Sequence, residues 1–245
     1  MRRGERAFGE LPRPLIIGFV LLFAAQLLFH KQTVQSLDVD YRPLPSPLNA
    51  SVYQGISMGS HGLIGHLEAI RLQLHDNQLG RHFSYNRMDY AVLVDWLETI
   101  SDISPDNEYP LILASRIYSS TPEPEQLLRL IGFIESRFDQ NPQLYWRRMT
   151  EAALIAKHQL NDLELALKLA EQVAIQPESI EMPHWARDFR FLLLAELNQL
   201  ESAIAIIQAL LETNSIQDPD ELRFLNEKLS KYQQELFESQ QNATQ

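Results

Sequence analysis

Apolar side chains recur three and four positions apart through most of this chain, the spacing that lines one face of an α-helix. From residue 58 onward the pattern predicts nine helical segments, near 58–76, 87–102, 107–119, 123–139, 143–158, 161–176, 184–197, 199–213 and 219–238. After Pro142, Trp146, Met149, Ala153 and Ala156 line one face of a first helix. Asn161 and Asp162 then offer a cap, and Leu163, Ala166, Leu167, Ala170 and Val173 stripe a second helix before Pro177. Alanines on the facing sides let two such helices approach closely. Residues 185–211 repeat the design with Ala203 and Ile207 in the second helix. Residues 109–138 give a looser copy, with Gly132 where an alanine is expected. A last helix carries Leu222, Leu225, Leu229 and Leu236 among charged residues, as a solvated end layer requires, and residues 241–245 read as a disordered tail.

The N-terminal pattern is different. Residues 15–29 (LIIGFVLLFAAQLLF) are apolar apart from Gln26. At about 1.5 Å per residue they cover about 22 Å, short of the ~30 Å hydrocarbon core of a bilayer. Pro12 and Pro14 start the helix, and His30 and Lys31 can reach headgroups at its far end. The length suits a short span or the apolar core of a signal peptide. No small-x-small cleavage site follows it, which favours an uncleaved anchor over residues 15–31. Arg2, Arg3, Arg6 and Arg13 precede the run and a single lysine follows it. The positive-inside rule therefore puts a basic segment, residues 1–14, in the cytoplasm and the rest across the membrane. Residues 32–57, with Pro43, Pro45 and Pro47, read as a stiff spacer.

Pro105, Pro142 and Pro177 punctuate the helical part at intervals of 37 and 35 residues, close to the roughly 34-residue period of paired-helix repeats. A repeat of that kind buries its apolar face by stacking on its neighbours, which leaves a concave surface for binding. A large aromatic early in the first helix, alanines in the second and a closing proline resemble a tetratricopeptide repeat. The stretches GHLEAIRLQLHDNQ (65–78) and YNRMDYAVLVDWLETISDISPDNEYPLILASRIY (85–118) resemble the start of membrane-anchored, tetratricopeptide-like proteins from proteobacteria. That resemblance, over about residues 60–240, implies an all-α fold: an N-terminal transmembrane helix, then an α-solenoid of degenerate helix-turn-helix repeats over 58–240. It implies a single-pass bacterial inner-membrane protein with its C-terminal domain in the periplasm, and brings no catalytic residues with it.

Charge and composition narrow the partners. Net charge is −11, and with the basic N-terminal residues set aside, residues 32–245 carry −14. So acidic a body repels phosphate backbones, and no basic stripe offsets it, which argues against nucleic acid. The chain has no cysteine, hence no disulfide, thiolate nucleophile or cysteine metal site. None of its nine glycines lies beyond Gly132, too few turn residues for a β-rich C-terminal half.

Candidate chemistry is sparse. Gly55, Gly59, Gly62 and Gly65 lack the strand and the lysine-serine end of a phosphate loop, and read as a close-packing helix face. His61, His66, His75 and His82 are separated by five, nine and seven residues, which puts no two imidazoles well on one helical face. They supply the alternative function, an anchored metal-binding protein or enzyme using residues 61–82. Glu68, Asp95, Glu98 and Asp102 have no nucleophile beside them, and the glycosylation triplets at Asn49 and Asn242 are short enough to occur by chance. No cofactor is called for and no enzyme is read. Counting register from Tyr109, Trp146 and Trp185 assigns Asn107, Ile117, Arg147, Glu151 and Arg190 to the groove. Arg147, Arg148, Arg187 and Arg190 are unusual in an acidic body. They suit a clamp on a carboxylate or acidic peptide, or local salt bridging to nearby glutamates and Asp188. The loop 81–85 is a second candidate contact. The expected function is a membrane-anchored protein–protein interaction scaffold or adaptor, assembling or chaperoning envelope proteins.

Overall fold

The computed structural model describes residues 12–36, 43–76, 85–213 and 216–243, and all regular structure among them is helical. The chain divides into two units, the first containing the N-terminal helix and the second the helical body from Pro43 on. In the first unit α1 (Arg13–Ser36) runs for 24 residues, about 36 Å at 1.5 Å per residue. Its window Pro14–Lys31 has a mean hydropathy of 1.8 and is nowhere buried, so one helix is long and apolar enough to cross a membrane. The uninterrupted run 15–29 covers about 22 Å, and the whole 18-residue window Pro14–Lys31 covers about 27 Å, close to the thickness of a hydrocarbon core.

In the body, α2 (Ala50–Ile56), α3 (His61–Asp76) and α4 (Tyr90–Ile103) come first, with a single 3₁₀ turn at Tyr85–Arg87. Next are α5 (Tyr109–Ile112), running on into a π-helical segment Leu113–Tyr118, α6 (Pro124–Gln140), α7 (Pro142–His158) and α8 (Leu163–Ala174). The short helices α9 (His184–Asp188) and α10 (Arg190–Glu196), then α11 (Leu200–Glu212) and α12 (Pro219–Ala243), complete it.

Local chemistry sets these boundaries. The side chain of Asp89 accepts from the Ala91 amide at 2.9 Å to start α4, Asn141 from Leu144 at 3.2 Å to start α7, and Asp162 from Leu165 at 2.9 Å to start α8. With no glycine to close the later helices, asparagines take the left-handed conformation instead: Asn161 at φ 53° after α7 and Asn198 at φ 60° after α10. The amides that follow fold back onto helix carbonyls, Asp162 to Ala156 at 3.0 Å and Gln199 to Leu194 at 2.8 Å.

Neighbours in sequence pack together: α3 on α4, α6 on α7, α7 on α8, α10 on α11 and α11 on α12. Next-but-one pairs, α4 with α6 and α8 with α10, also touch. A continuous core runs from Leu44 to Tyr232. The alanine stripes behave as expected: Ala153 and Ala156 on α7, and Ala166 and Ala170 on α8, are all buried where these helices meet. The α12 stripe packs on α11, with Tyr232 buried beside Leu225.

Several expectations are corrected. The stretch expected as a spacer is structured at both ends: α1 continues to Ser36, and residues 43–57 belong to the body. Leu44 is buried, the Trp96 indole donates to the Pro45 carbonyl at 2.7 Å, and α2 packs on α4. Proline carbonyls are good acceptors, so a proline-rich strand can be stapled down by side chains it cannot pair with through its own missing amides. The four glycines do not share a face. Only Gly65 sits in a close approach, where an added Cβ would lie 3.0 Å from the Ser104 Cβ, while Gly59 occupies the bend between α2 and α3 at φ 88°. Gly132 does not replace a packing alanine. It lies on the exposed side of α6, with open space around it. The helix expected over 184–197 breaks at Phe189, and α12 extends through Ala243, five residues past its expected end at 238 and into the segment expected to be disordered.

Candidate binding groove

Trp146 and Arg147 are consecutive residues on α7, and they face different surroundings. The Trp146 ring is buried and meets Trp185 of α9 edge to face, ring centroids 6.1 Å apart. The Arg147 guanidinium lies over the Trp146 ring, 5.0 Å from its centroid, and makes no ion pair among the described residues. Trp185 is 54% exposed. These side chains border an open cleft of about 670 Å³, completed by Arg116, Leu154, Pro183 and Leu192. A second cleft of about 600 Å³ lies on the other side of Trp146, Arg147 and Pro183, and takes in Glu108, Gln143 and Met182. Arg147 therefore stands between two adjoining depressions.

The far wall is held by the loop over residues 175–183. Arg187 donates to the carbonyls of Gln176, Pro177 (3.3 Å) and Ile180 (3.2 Å), and the Glu181 amide donates to Gln143 at 3.0 Å. Three carbonyls on one guanidinium tie down a segment with little regular structure, and so fix where Pro183 and Trp185 present themselves.

Glu151 carries the polar side of the cleft. It accepts from Ser115 at 2.6 Å, from Arg116 Nε at 2.9 Å and from Arg148 Nη1 at 2.8 Å. Ser115 and Arg116 are consecutive, and it is the π-helical segment that carries both. With two arginines on one carboxylate, Arg147 leaves the cleft locally positive inside an acidic body.

The seven predicted groove residues divide accordingly. Arg147, Arg148 and Glu151 line the cleft. Arg148 is buried and committed to Glu151, with Glu108 4.0 Å away, so it is part of the wall. Asn107 lies two residues ahead of α5, its side chain accepting from the Tyr109 amide at 3.0 Å. Ile117 is exposed but does not line the cleft; Arg116 does. A register counted at 3.6 residues per turn fails across a π segment, which has more residues per turn. Arg187 is spent on backbone carbonyls. Arg190 lies just beyond the break at Phe189 and turns to Asp188, 3.9 Å away. Burial pushes the Asp188 carboxyl up from its usual range, against the pull of Arg190. Local pairing thus accounts for Arg148 and Arg190. Sequence register missed Arg116, Leu154 and Leu192.

The histidine alternative has no common site among the described residues, where no group of three or more metal-ligating side chains gathers. His61 Nδ1 is 3.0 Å from Ser57 Oγ, and the His66 ring lies against Tyr109 at 5.8 Å. His82, like residues 81–84 of the second candidate contact, lies outside the described residues. Of the carboxylates, Glu68 pairs with Arg71 at 3.4 Å and Asp102 with Arg137 at 2.7 Å. Asn49 caps α2, accepting from Ser51 at 3.0 Å. No protein-family model matches the chain, and comparison with curated proteins and with solved structures gives no match either.

Proposed function

We propose that this chain is a membrane-anchored interaction scaffold whose helical body holds a segment of another protein. The observation that carries it is the cleft at Trp146, Arg147 and Trp185. It presents a half-exposed tryptophan and a cation with no acidic partner among the described residues, on a wall fixed by Arg187 and Glu151. Exposed aromatics and arginines dominate the energetics of protein contacts. The partner segment has an apolar anchor for the Trp185 and Leu192 wall and a carboxylate for Arg147. In this reading the body is a tetratricopeptide-like solenoid, supported by the next-but-one contacts of α4 with α6 and α8 with α10, which stacked hairpins make. The anchor is α1 in a bacterial inner membrane with the body in the periplasm, supported by the four arginines ahead of its apolar run. Its role there is assembly or chaperoning of envelope proteins, with the anchor raising the local concentration of scaffold and partner.

A photo-crosslinking amino acid at Trp185 in the full-length chain, expressed in its own cell, tests this. One discrete adduct that disappears with Arg147→Glu is expected, with none from the same probe at Leu128 on α6. Equal adducts from both positions, or none from Trp185, would refute the groove.

A further inference from the structure

Helix α3 is apolar on two opposite sides. At 100° per residue Gly65, Ala69, Leu72 and Asp76 fall on one side, and all are buried. Leu63, Leu67, Ile70 and Leu74 fall on the other, and all are exposed, Leu63 by 61% and Leu74 by 65%. The bare stripe continues the pattern of α2, where Val52 and Ile56 are exposed one turn apart, and Met58 in the bend is 95% exposed. Among the described residues of the body, eight large exposed apolar side chains fall within 48–74 and seven in all the rest. Scattered exposed leucines need no explanation, but a concentrated stripe marks a contact surface.

We propose that the outer face of α2 and α3 lies in the interfacial layer of the bilayer that α1 crosses. Three observations select lipid as the occupant. The first is reach: α1 ends at Ser36 and the packed body begins at Pro43, so the link between them spans at most about 25 Å at ~3.5 Å per residue. The first helices of the body along the chain after this link are α2 and α3. The second is charge. Residues 43–76 carry one arginine against Glu68 and Asp76, whereas residues 77–245 carry 26 acidic and 14 basic side chains. An anionic lipid surface repels the remainder and tolerates this face. The third is the arrangement of polar neighbours. His66 and Arg71 border the stripe about 70° to either side of its centre at 100° per residue, as in helices that lie with one face among the acyl chains.

Bilayer contact by α3 presupposes that α1 spans the membrane, and the experiment separates the two. The chain has no cysteine, so a polarity-sensitive fluorophore can be attached to single-cysteine variants of the full-length protein. These are placed one copy per nanodisc in phosphatidylcholine and phosphatidylglycerol, with bromine near the headgroup end of the acyl chains for positions 67 and 74 and near the terminal methyl groups for position 21. Probes at Leu67→Cys and Leu74→Cys are expected to shift to the blue and lose intensity to bromine, as does a probe at Leu21→Cys in α1. A probe at Leu128→Cys, exposed on α6, stays water-like. Quenching at position 21 with water-like emission at 67 and 74 overturns the contact and leaves the anchor standing. Blue-shifted emission at 67 and 74 without bromine quenching makes the cover protein, a second copy or a partner, and also overturns it. An unquenched probe at 21 removes the span and the contact together.

Discussion

The rings of Trp146 on α7 and Trp185 on α9 meet edge to face at 6.1 Å, one buried and the other more than half exposed. The pair joins the packed core to the open cleft, so changes at the cleft rim and changes in the wall beneath it have separable effects.

Arg147 and Arg148 are adjacent and opposite in kind. Arg147→Glu is expected to alter stability by no more than about 0.5 kcal/mol, as at other exposed positions, while abolishing the crosslink from position 185. Arg148→Met removes a buried guanidinium that bonds the half-buried Glu151 and neighbours Glu108 at 4.0 Å, and is expected to cost about 2 kcal/mol. Thermal unfolding of the two full-length variants side by side measures the contrast, and equal losses would dissolve it.

Arg187 acts through the loop it holds. Arg187→Ala removes its bonds to the carbonyls of Gln176, Pro177 and Ile180 and is expected to cost about 2 kcal/mol, since a charged donor is worth roughly 1.5–3 kcal/mol. Because the loop also positions Pro183 and Trp185, the Trp185 crosslink should weaken under conditions where the protein remains fully helical. Undiminished crosslinking would place the loop outside the site.

Two of the helical glycines, Gly132 and Gly65, have opposite expectations. Gly132→Ala meets open space on the outside of α6 and gains about 0.5–1 kcal/mol from helix propensity and lost chain entropy. Gly65→Leu forces α3 away from Ser104 and Ile103 on the α4 side and costs about 1–3 kcal/mol. Denaturant midpoints read both; a stabilising Gly65→Leu would mean that α3 and α4 separate without loss.

Asp76 makes stability depend on pH. Its carboxyl is buried at the end of α3, with Oδ2 accepting from the Tyr118 hydroxyl at 3.0 Å and Oδ1 without a hydrogen bond among the described residues. Burial pushes its pKa up from 3.8 to about 6, and the Tyr118 bond offsets only part of this. The folded state holds the proton more tightly than the unfolded one. This contribution to stability is therefore complete below about pH 3.8 and is lost as pH rises through about 6. Between those limits each pH unit removes about 1.4 kcal/mol at most. Asp76→Asn keeps an acceptor for Tyr118 and is expected to raise Tm by several degrees at pH 8, with the gain shrinking toward pH 4.5. A gain of the same size at both pH values would assign the effect to packing.

The order of the helices was legible because its causes are local. Asp89, Asn141 and Asp162 sit where caps belong, the apolar period is helical, and all nine expected segments are occupied by helix. What failed was register across irregular backbone. The π segment at Leu113–Tyr118 and the break at Phe189 both rotate the residues that follow, which displaced Ile117 and Arg190 from the cleft and brought in Arg116 and Leu192. Neither irregularity has a glycine or an internal proline to announce it. Residues 43–57 misled for a different reason. A proline-rich string reads as extended and free, and the indole that pins it belongs to Trp96, far along the chain.

Periodicity, caps and an apolar leader are properties of near neighbours, so the sequence alone determined that the chain is helical, in what order, and that one helix can enter a bilayer. Which cleft arginine is left for a ligand depended on the folded arrangement: Glu151, one turn along α7 from Arg148, also reaches Arg116 on the π segment, and three carbonyls of the folded loop take Arg187. By composition the bare side of α3, with Leu63, Leu67, Ile70 and Leu74, is the more apolar one, and Gly65, Ala69, Leu72 and Asp76 make up the covered side. Only packing could decide that Ala69 and Leu72 are covered while Leu67 and Leu74 are bare, because burial belongs to the pair of surfaces that meet and not to the residues on either one.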